Sequence, residues 1–428
     1  MEKLRYALAF GADAVYLGGA AFGLRAYAGN FNDAALGEAV GFAHSLGRKV
    51  YVAVNIFAHE PDFRELPQYL QRLAELRVDA VLVSDPGVLK LVRDAALALP
   101  IHLSTQANTT NSYSAAFWFG QGVKRIVLAR ELSLEELKAI RARVAGELEI
   151  FVHGAMCMSY SGRCMLSNYL TGRDANRGEC TQPCRWGYGL VEAKRPGEIF
   201  PLEEDERGTY IFNSHDLCLL PHLPKLQQLE LQSFKIEGRM KSVHYVASTV
   251  KVYREAIDLL WEEGEEAFQA CLPEWYAELD KVSHRDYSAG FLFGKPGRDA
   301  HNMEISHYVR DYDFVGIAAW NRLAGARGGP ARSGASAAEN AARETWPNDQ
   351  ELPLALVEQR NNFRLGDVLE VLSPGESPWS FRVEKMWNES GGEIEVAAHA
   401  QQLVWLEAPY PLGKYSILRR AKRDRHAR

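Results

Sequence analysis

The chain of 428 residues lacks several features that would announce a function. No apolar run approaches the roughly 20 residues that cross a bilayer, so no membrane partner is expected. No secretory leader is legible at the start, and the expected compartment is the cytoplasm. There is no G-x-G-x-x-G and no P-loop, which removes the usual signs of a nucleotide-binding fold. His59-Glu60 runs into Pro61-Asp62-Phe63, so there is no H-E-x-x-H, and there is no G-x-S-x-G nucleophile elbow. Neither a zinc-bound water nor an activated serine can therefore be read from the sequence. Positive charge is not in excess: 49 Lys and Arg against 55 Asp and Glu leave a net charge of -6. That balance argues against wholesale coating of a polyanion but allows a local basic face. The tail Arg419, Arg420, Lys422, Arg423, Arg425, Arg428 is one candidate for such a face, the competing reading being a frayed, solvated terminus.

Cysteine is scarce too, with six residues, yet four of them fall in one stretch: Cys157, Cys164, Cys180 and Cys184, spaced C-x6-C-x15-C-x3-C. Four converging thiolates repel one another unless a cation or a cluster neutralises them. Disulfides are the weaker reading for a cytosolic chain, and Cys218 and Cys271 stand outside the group. Structural zinc usually gathers cysteines as close pairs, a habit only Cys180 and Cys184 follow. A [4Fe-4S] cluster accepts wider and irregular spacing because its irons sit at separate corners. Spacing thus favours iron-sulfur, with zinc as the alternative.

The first 270 residues alternate short β-branched runs with helix-period segments. Strands are expected at 14–18, 50–55, 80–85, 101–104, 125–129, 149–154 and 233–238, and helices include 60–77, 86–97 and 132–145. The last has a capped start in Leu132-Ser133 followed by Glu135-Glu136. Near-continuous apolar strands at this spacing predict an α/β fold, a TIM-like (β/α)8 barrel over 1–270, with a doubly wound sheet as the lesser option. Only seven strands can be counted, and the chain opens in the helical segment Glu2–Ala9. Either the first strand is missing or the barrel is open. A connecting segment, 271–310, leads to a small C-terminal β-barrel domain, 311–428, with strands near 314–318, 354–358, 367–372, 380–383 and 393–396. A Gly/Ala/Arg/Ser-rich insertion near 323–350 reads as flexible.

Active sites of such folds sit at the carboxyl ends of the strands. The polar residues there are Asn55, Asp85, Gln106, Asn108, Arg130, His153, Glu237 and Arg239. The cysteine segment follows the sixth counted strand directly, so metal centre and mouth are expected to coincide.

The run Glu149-x-Phe151-x-x-Gly154-Ala155-Met156-Cys157-x4-Gly162-x-Cys164-x-Leu166-Ser167 resembles the signature of the collagenase-like peptidase family of unknown catalytic type. The resemblance continues through Gly11–Gly18, Ser104-Thr105-Gln106-Ala107-Asn108, Asn213-Ser214-x-Asp216-Leu217-Cys218 and Lys235-Ile236-Glu237-Gly238-Arg239-Met240-Lys241. In the C-terminal unit, Glu358-Gln359-Arg360-Asn361-Asn362-Phe363-x-x-Gly366-Asp367 resembles the tRNA-hydroxylating branch of that family. Members normally open with a strand that this chain does not show.

The resemblance implies a prephenate-dependent hydroxylation of the wobble uridine of tRNA to 5-hydroxyuridine, with the four cysteines as [4Fe-4S] ligands. It implies tRNA and prephenate as partners, with an electron-donor protein as a further one. Planar arginine forks suit the two carboxylates of prephenate, which singles out Arg130 and Arg239, with Arg25 and Arg185 in reserve; a structural salt bridge is the plain alternative for each. Glu237 is expected to pair with Lys235 or Arg239, or to accept a proton. His153 is expected to hydrogen-bond a thiolate or move protons, or else to be a satisfied core imidazole. Tyr27, Tyr160, Tyr169 and Trp186 are available to stack an extruded base. Two other readings stay open: a peptidase, for example a cysteine protease built on Cys157 or Cys164 with His153, and a non-catalytic iron-sulfur scaffold or partner subunit.

Overall fold

The computed structural model describes residues 1–24, 30–156, 164–183, 190–191, 199–200, 204–205, 208–209, 215–294, 309–322 and 353–422. The apolar runs become a parallel sheet: β1 (Ala14–Gly18), β2 (Lys49–Val54), β3 (Ala80–Val83), β4 (Ile101–Leu103), β5 (Arg125–Val127) and β6 (Glu147–Ala155). Neighbours pair in chain order, with Leu17 opposite Val52 and Val52 opposite Val81. Val50 through Val54 are all buried, so both faces of β2 are covered, which is why the strand reads as a continuous apolar run. Helices α1 (Glu2–Ala9), α2 (Asp33–Ser45), α3 (Leu66–Glu75), α4 (Pro86–Asp94), α5 (Ser112–Gly120) and α6 (Leu134–Arg143) alternate with these strands.

Local chemistry sets the helix starts. Ser133 and Glu136 form the expected capping box, Glu136 Oε2 accepting from Ser133 N at 2.8 Å. Helix α3 is shorter than its periodicity suggests, because Glu60–Arg64, with Pro61 in its first turn, winds as a separate 3-10 turn. Asp85, a candidate for the mouth, is the N-cap of α4; its Oδ1 accepts from Gly87 N and Val88 N at 2.8 and 3.0 Å.

After α7 (Leu166–Thr171), strand β7 (Asp216–Cys218) runs antiparallel to the end of β6. It is only three residues long and carries no periodicity, so the sequence reading does not separate it. After α8 (Leu223–Gln227), strand β8 (Ser233–Ile236) runs parallel to β6, and β9 (Tyr287–Ser288) pairs with β7. Between them lie the long helix α9 (Val243–Glu262) and α10 (Glu265–Leu279).

The TIM-like barrel, expected either to lack its first strand or to be open, is not confirmed by the strand pairings. Among the described residues β1 and β8 do not pair, and the sheet stays open between them. A cavity of about 910 Å³ runs through this gap, lined by β1, by β8 and by Met1, Leu4 and Ala7 of α1. The remaining pairings are an α/β arrangement with a mainly parallel sheet.

The C-terminal domain is an antiparallel sheet of β10 (Tyr312–Arg322), β11 (Leu354–Gln359), β12 (Val368–Leu372), β13 (Trp379–Arg382), β14 (Met386–Asn388), β15 (Leu403–Glu407) and β16 (Ile417–Ala421). Its order is β13-β12-β16-β10-β11-β15-β14, around a core that includes Val315, Phe363, Leu369, Val404 and Leu418. The expected strand at 393–396 contributes only a bridge from Glu393 to Trp387 and a two-residue pairing at Val396–Ala397. The insertion near 323–350 lies outside the described residues.

This domain seats on the first one. Ile317, Leu372 and Ile417 pack with Tyr6, Phe10, Val243 and Ala247. Arg419 is fully buried at the joint, where it forms a bidentate pair with Glu278 at 2.5 and 2.6 Å and a further bond to Glu370 at 2.7 Å. Arg420 pairs with Asp367 and Asp313. The basic tail is therefore a strand and a joint up to Lys422, and its later residues lie outside the described ones.

Candidate active site at the carboxyl ends of the strands

The strand ends form a mouth held together by short polar links. Asn55, after β2, donates from Nδ2 to Ser104 Oγ at 3.1 Å and accepts from Leu24 N at 3.3 Å. Ser84, after β3, donates to Asn55 O at 3.0 Å. After β4, Thr105 Oγ1 donates to Leu128 O at 3.2 Å, tying the turn at 105–107 to the end of β5.

Arg130 leaves β5 with its guanidinium 3.9 Å over the Phe151 ring and Nη1 donating to Ala155 O at 3.3 Å. Among the described residues it touches this carbonyl and this ring and makes no ion pair. Beside it, burial pushes the Glu131 carboxyl up, and its Oε2 has no hydrogen-bond partner.

Glu237, after β8, accepts from Tyr16 Oη at 2.8 Å and from Arg239 N at 3.2 Å. Of the two partners expected for Glu237, Lys235 is engaged elsewhere: the pairing of β8 with β6 sets it on Glu149 at 2.8 Å. Arg239 donates from Nη2 to Asn30 Oδ1 at 2.6 Å and lies across Gly18, where a Cβ would stand 1.7 Å from that nitrogen. Gly154 has a φ of 120°, and a Cβ there would lie 2.7 Å from Glu237 O, so β6 and β8 can approach only at a glycine.

His153 is enclosed. Its ring lies 5.3, 5.5 and 5.9 Å from those of Tyr287, Tyr253 and Tyr245, and Nδ1 is 3.4 Å from Tyr253 Oη. Burial pushes its pKa down to about 3, which keeps the imidazole neutral. Of the two alternatives read from the sequence, this placement is that of a core imidazole, although Nε2 has no partner.

Of the four clustered cysteines, Cys157 and Cys184 lie outside the described residues, as do Arg25, Arg185, Tyr27, Tyr160 and Trp186. Cys164 is half-buried and Cys180 exposed. Their segments are stitched together: Thr181 N donates to Ser167 Oγ at 3.1 Å, and the two hydroxyls are 3.0 Å apart. Gln182 N donates to Cys180 Sγ at 3.4 Å, the kind of bond that supports a ligating thiolate. The same segment is anchored to the mouth, since Phe57 N donates to Asn176 O at 3.2 Å and Arg177 clamps Asp62 at 2.9 and 3.0 Å. Among the described residues alone, no group of three or more His, Cys, Asp or Glu is placed to hold a metal. The described half of the cysteine set offers the thiols of Cys164 and Cys180 as donors. Tyr169, between the two cysteines, is 85% exposed.

Two features escape the sequence reading. The first is a buried ion cluster inside the sheet, in which Glu149 meets Lys235 at 2.8 Å and Arg125 at 3.3 Å. Burial alone would raise the Glu149 carboxyl, but the two cations outweigh it and hold it at about 2. Charged residues within apolar strands, as in Glu149-Ile150-Phe151 and Phe234-Lys235-Ile236, were the available signal, since an unpaired charge cannot stay there. The second is the set of buried acceptors without partners, Gln106 Oε1, Asn108 Oδ1 and Thr109 Oγ1, each of which costs about 1–3 kcal/mol. Gln106 and Asn108 are among the strand-end polar residues read from the sequence, which does not show that their oxygens lack partners.

Comparison with known proteins adds the lineage. The family described as Peptidase family U32 matches residues 1–302, and the Peptidase family U32 C-terminal domain matches residues 344–419. The chain belongs to peptidase family U32. Within this U32 family it is 36% identical to "tRNA hydroxylation protein P1" of Bacillus subtilis, over 99% of this chain and 93% of that protein. It is 37% identical to "tRNA hydroxylation protein P" of Escherichia coli, over 98% of this chain and 94% of that protein. A shorter similarity, 37% over 68% of this chain and 44% of the other, links it to the "23S rRNA 5-hydroxycytidine C2501 synthase" of Escherichia coli. As for the expected absence of a membrane partner, no helix among the described residues is long and apolar enough to cross a bilayer.

Proposed function

We propose that this U32 chain hydroxylates tRNA, converting wobble uridine to 5-hydroxyuridine with prephenate as cosubstrate. In this reading Cys157, Cys164, Cys180 and Cys184 hold a [4Fe-4S] cluster beside the mouth. The observation that carries it is the similarity, over 99% and 98% of the chain, to two proteins named for tRNA hydroxylation. The geometry adds that the Cys164–Cys180 segment is anchored at Phe57 and Asp62, next to Asn55 of the mouth.

A cluster held by four protein thiolates supplies electron transfer and offers no open iron. The protein's own groups divide the remaining work. Arg130 presents a guanidinium to a carboxylate of the cosubstrate. Glu237, which accepts from Tyr16 Oη, takes one of the protons released as C5–H of uridine becomes C5–OH in this reading. Tyr169 offers a face for a base leaving the anticodon stack. Replacing C5–H by C5–OH with oxygen at the level of water releases two electrons and two protons, which calls for a two-electron acceptor, a redox protein, as partner. No comparable observation favours a peptidase: His153, the base that a cysteine protease built on Cys157 or Cys164 would use, is a neutral, enclosed imidazole.

The test compares tRNA nucleosides by mass spectrometry in a deletion strain carrying wild type, Cys180→Ser or Cys218→Ala. Expected is loss of 5-hydroxyuridine on deletion, rescue by wild type and Cys218→Ala, and no rescue by Cys180→Ser. Anaerobically purified protein should hold about four irons, retained in Cys218→Ala and lost in Cys180→Ser. Persistence of the nucleoside in the deletion strain refutes the activity. A colourless protein holding one zinc leaves a structural metal and removes the redox mechanism.

A further inference from the structure

Three buried polar atoms without a hydrogen-bond partner among the described residues fall within four consecutive residues after β4: Gln106 Oε1, Asn108 Oδ1 and Thr109 Oγ1. Thr109 is 1% exposed. Asn108 also sits in the left-handed region, with φ 53° and ψ 52°, where a plain turn would carry glycine. The backbone around them cannot drift. Ser104 Oγ accepts from Gln106 N at 3.3 Å and from Asn55 Nδ2 at 3.1 Å, Thr105 Oγ1 bonds Leu128 O at 3.2 Å, and Ala129 N bonds Thr109 O at 3.2 Å. A fixed turn that keeps unpaired amide oxygens and a strained asparagine at the functional end of a strand has the form of a recognition element awaiting a donor.

We propose that this turn reads the base, the amide oxygen of Gln106 accepting the N3–H of a uracil ring brought to the mouth and Asn108 setting the shape of the turn. The inference rests on the tRNA reading above and adds the edge by which the base is held. Uracil is an imide, with a single N–H donor between two carbonyl acceptors. A glutamine amide carries an acceptor and donors side by side in one plane and can pair with N3–H and a neighbouring carbonyl together. The terminal torsion of glutamine is broad, so turning its oxygen outward is a soft motion. Held by N3, the ring leaves its C5–C6 edge free on the far side, toward the chemistry.

The test measures binding of the full-length protein to a fluorescent anticodon stem-loop RNA with uridine or N3-methyluridine at the wobble position. Wild type should bind the methylated loop about tenfold more weakly, the loss of one hydrogen bond with a partner left unpaired. Gln106→Ala should bind the uridine loop about tenfold more weakly and be indifferent to methylation. Asn108→Gly should weaken binding while keeping or raising the melting temperature, because glycine relieves the left-handed backbone; this excludes simple misfolding. Equal wild-type binding of both loops, or a methylation penalty that survives in Gln106→Ala, overturns the proposal. So does binding that responds to alkali cations and ignores methylation, which reassigns the oxygens to a cation. If 5-hydroxyuridine still depends on the protein in these cases, only the base-reading role falls. If neither RNA binds and the nucleoside is independent of the protein, the tRNA reading falls and takes this inference with it.

Discussion

Replacing Lys235 with methionine isolates the ion cluster inside the sheet, because methionine keeps most of the volume and removes only the charge. In the native chain Glu149 is buried, with the Lys235 ammonium at 2.8 Å and Arg125 at 3.3 Å. Its carboxyl falls from the ordinary 4.5 to about 2 on folding, against the opposing effect of burial. A folded value below the unfolded one means stability that is fully present above about pH 5 and is lost as pH falls toward 2. The gap corresponds to roughly 3 kcal/mol. Without Lys235, burial prevails over Arg125 alone and the carboxyl titrates above its ordinary value, so the sign of the pH dependence reverses. Breaking such a pair should cost about 3–5 kcal/mol at neutral pH. Urea unfolding followed by circular dichroism at about pH 7 and about pH 4 should show a large loss at the first and a smaller one at the second. The double variant Glu149→Gln/Lys235→Met should recover most of the stability. A single variant within about 1 kcal/mol of wild type at neutral pH, or one with the native acid profile, would refute the assignment of Lys235 as the main counter-charge.

Two further outcomes follow from the joint and from the strand crossing. Arg419→Met leaves Glu278 and Glu370 with Lys281 as their remaining shared cation; it should cost about 3 kcal/mol and split calorimetric unfolding into two transitions as the C-terminal domain separates. A single, unshifted transition would show that the apolar contacts of Ile317, Leu372 and Ile417 suffice to couple the domains. Gly154→Ala combines an unfavourable φ with a Cβ 2.7 Å from Glu237 O, so it should destabilise by about 1–3 kcal/mol and displace Glu237. Loss of tRNA modification in a cell extract, with Gly172→Ala as the control, checks the displacement; Gly172 also has a positive φ but open space around it.

The sequence by itself determined the local elements and the grouping of the chemistry. Val50 through Val54 could only be a strand covered on both faces, Ser133 with Glu136 could only open a helix, and the spacing of the four cysteines set them apart from Cys218 and Cys271. These properties depend on neighbours a few residues away, where steric and capping effects act. The tertiary structure alone decided who meets whom. Lys235 pairs with Glu149, 86 residues earlier, rather than with Glu237 two residues on, because the parallel pairing of β8 with β6 brings the buried carboxylate beside it. Arg419, which reads as part of a basic tail, becomes the buried centre of a joint through partners 49 and 141 residues away. His153 reads equally well as a catalytic or a core imidazole, and it takes three tyrosines from α9 and β9 to make it a neutral core group. Burial and long-range pairing set the charge states of these residues, and neither quantity exists until the chain has folded.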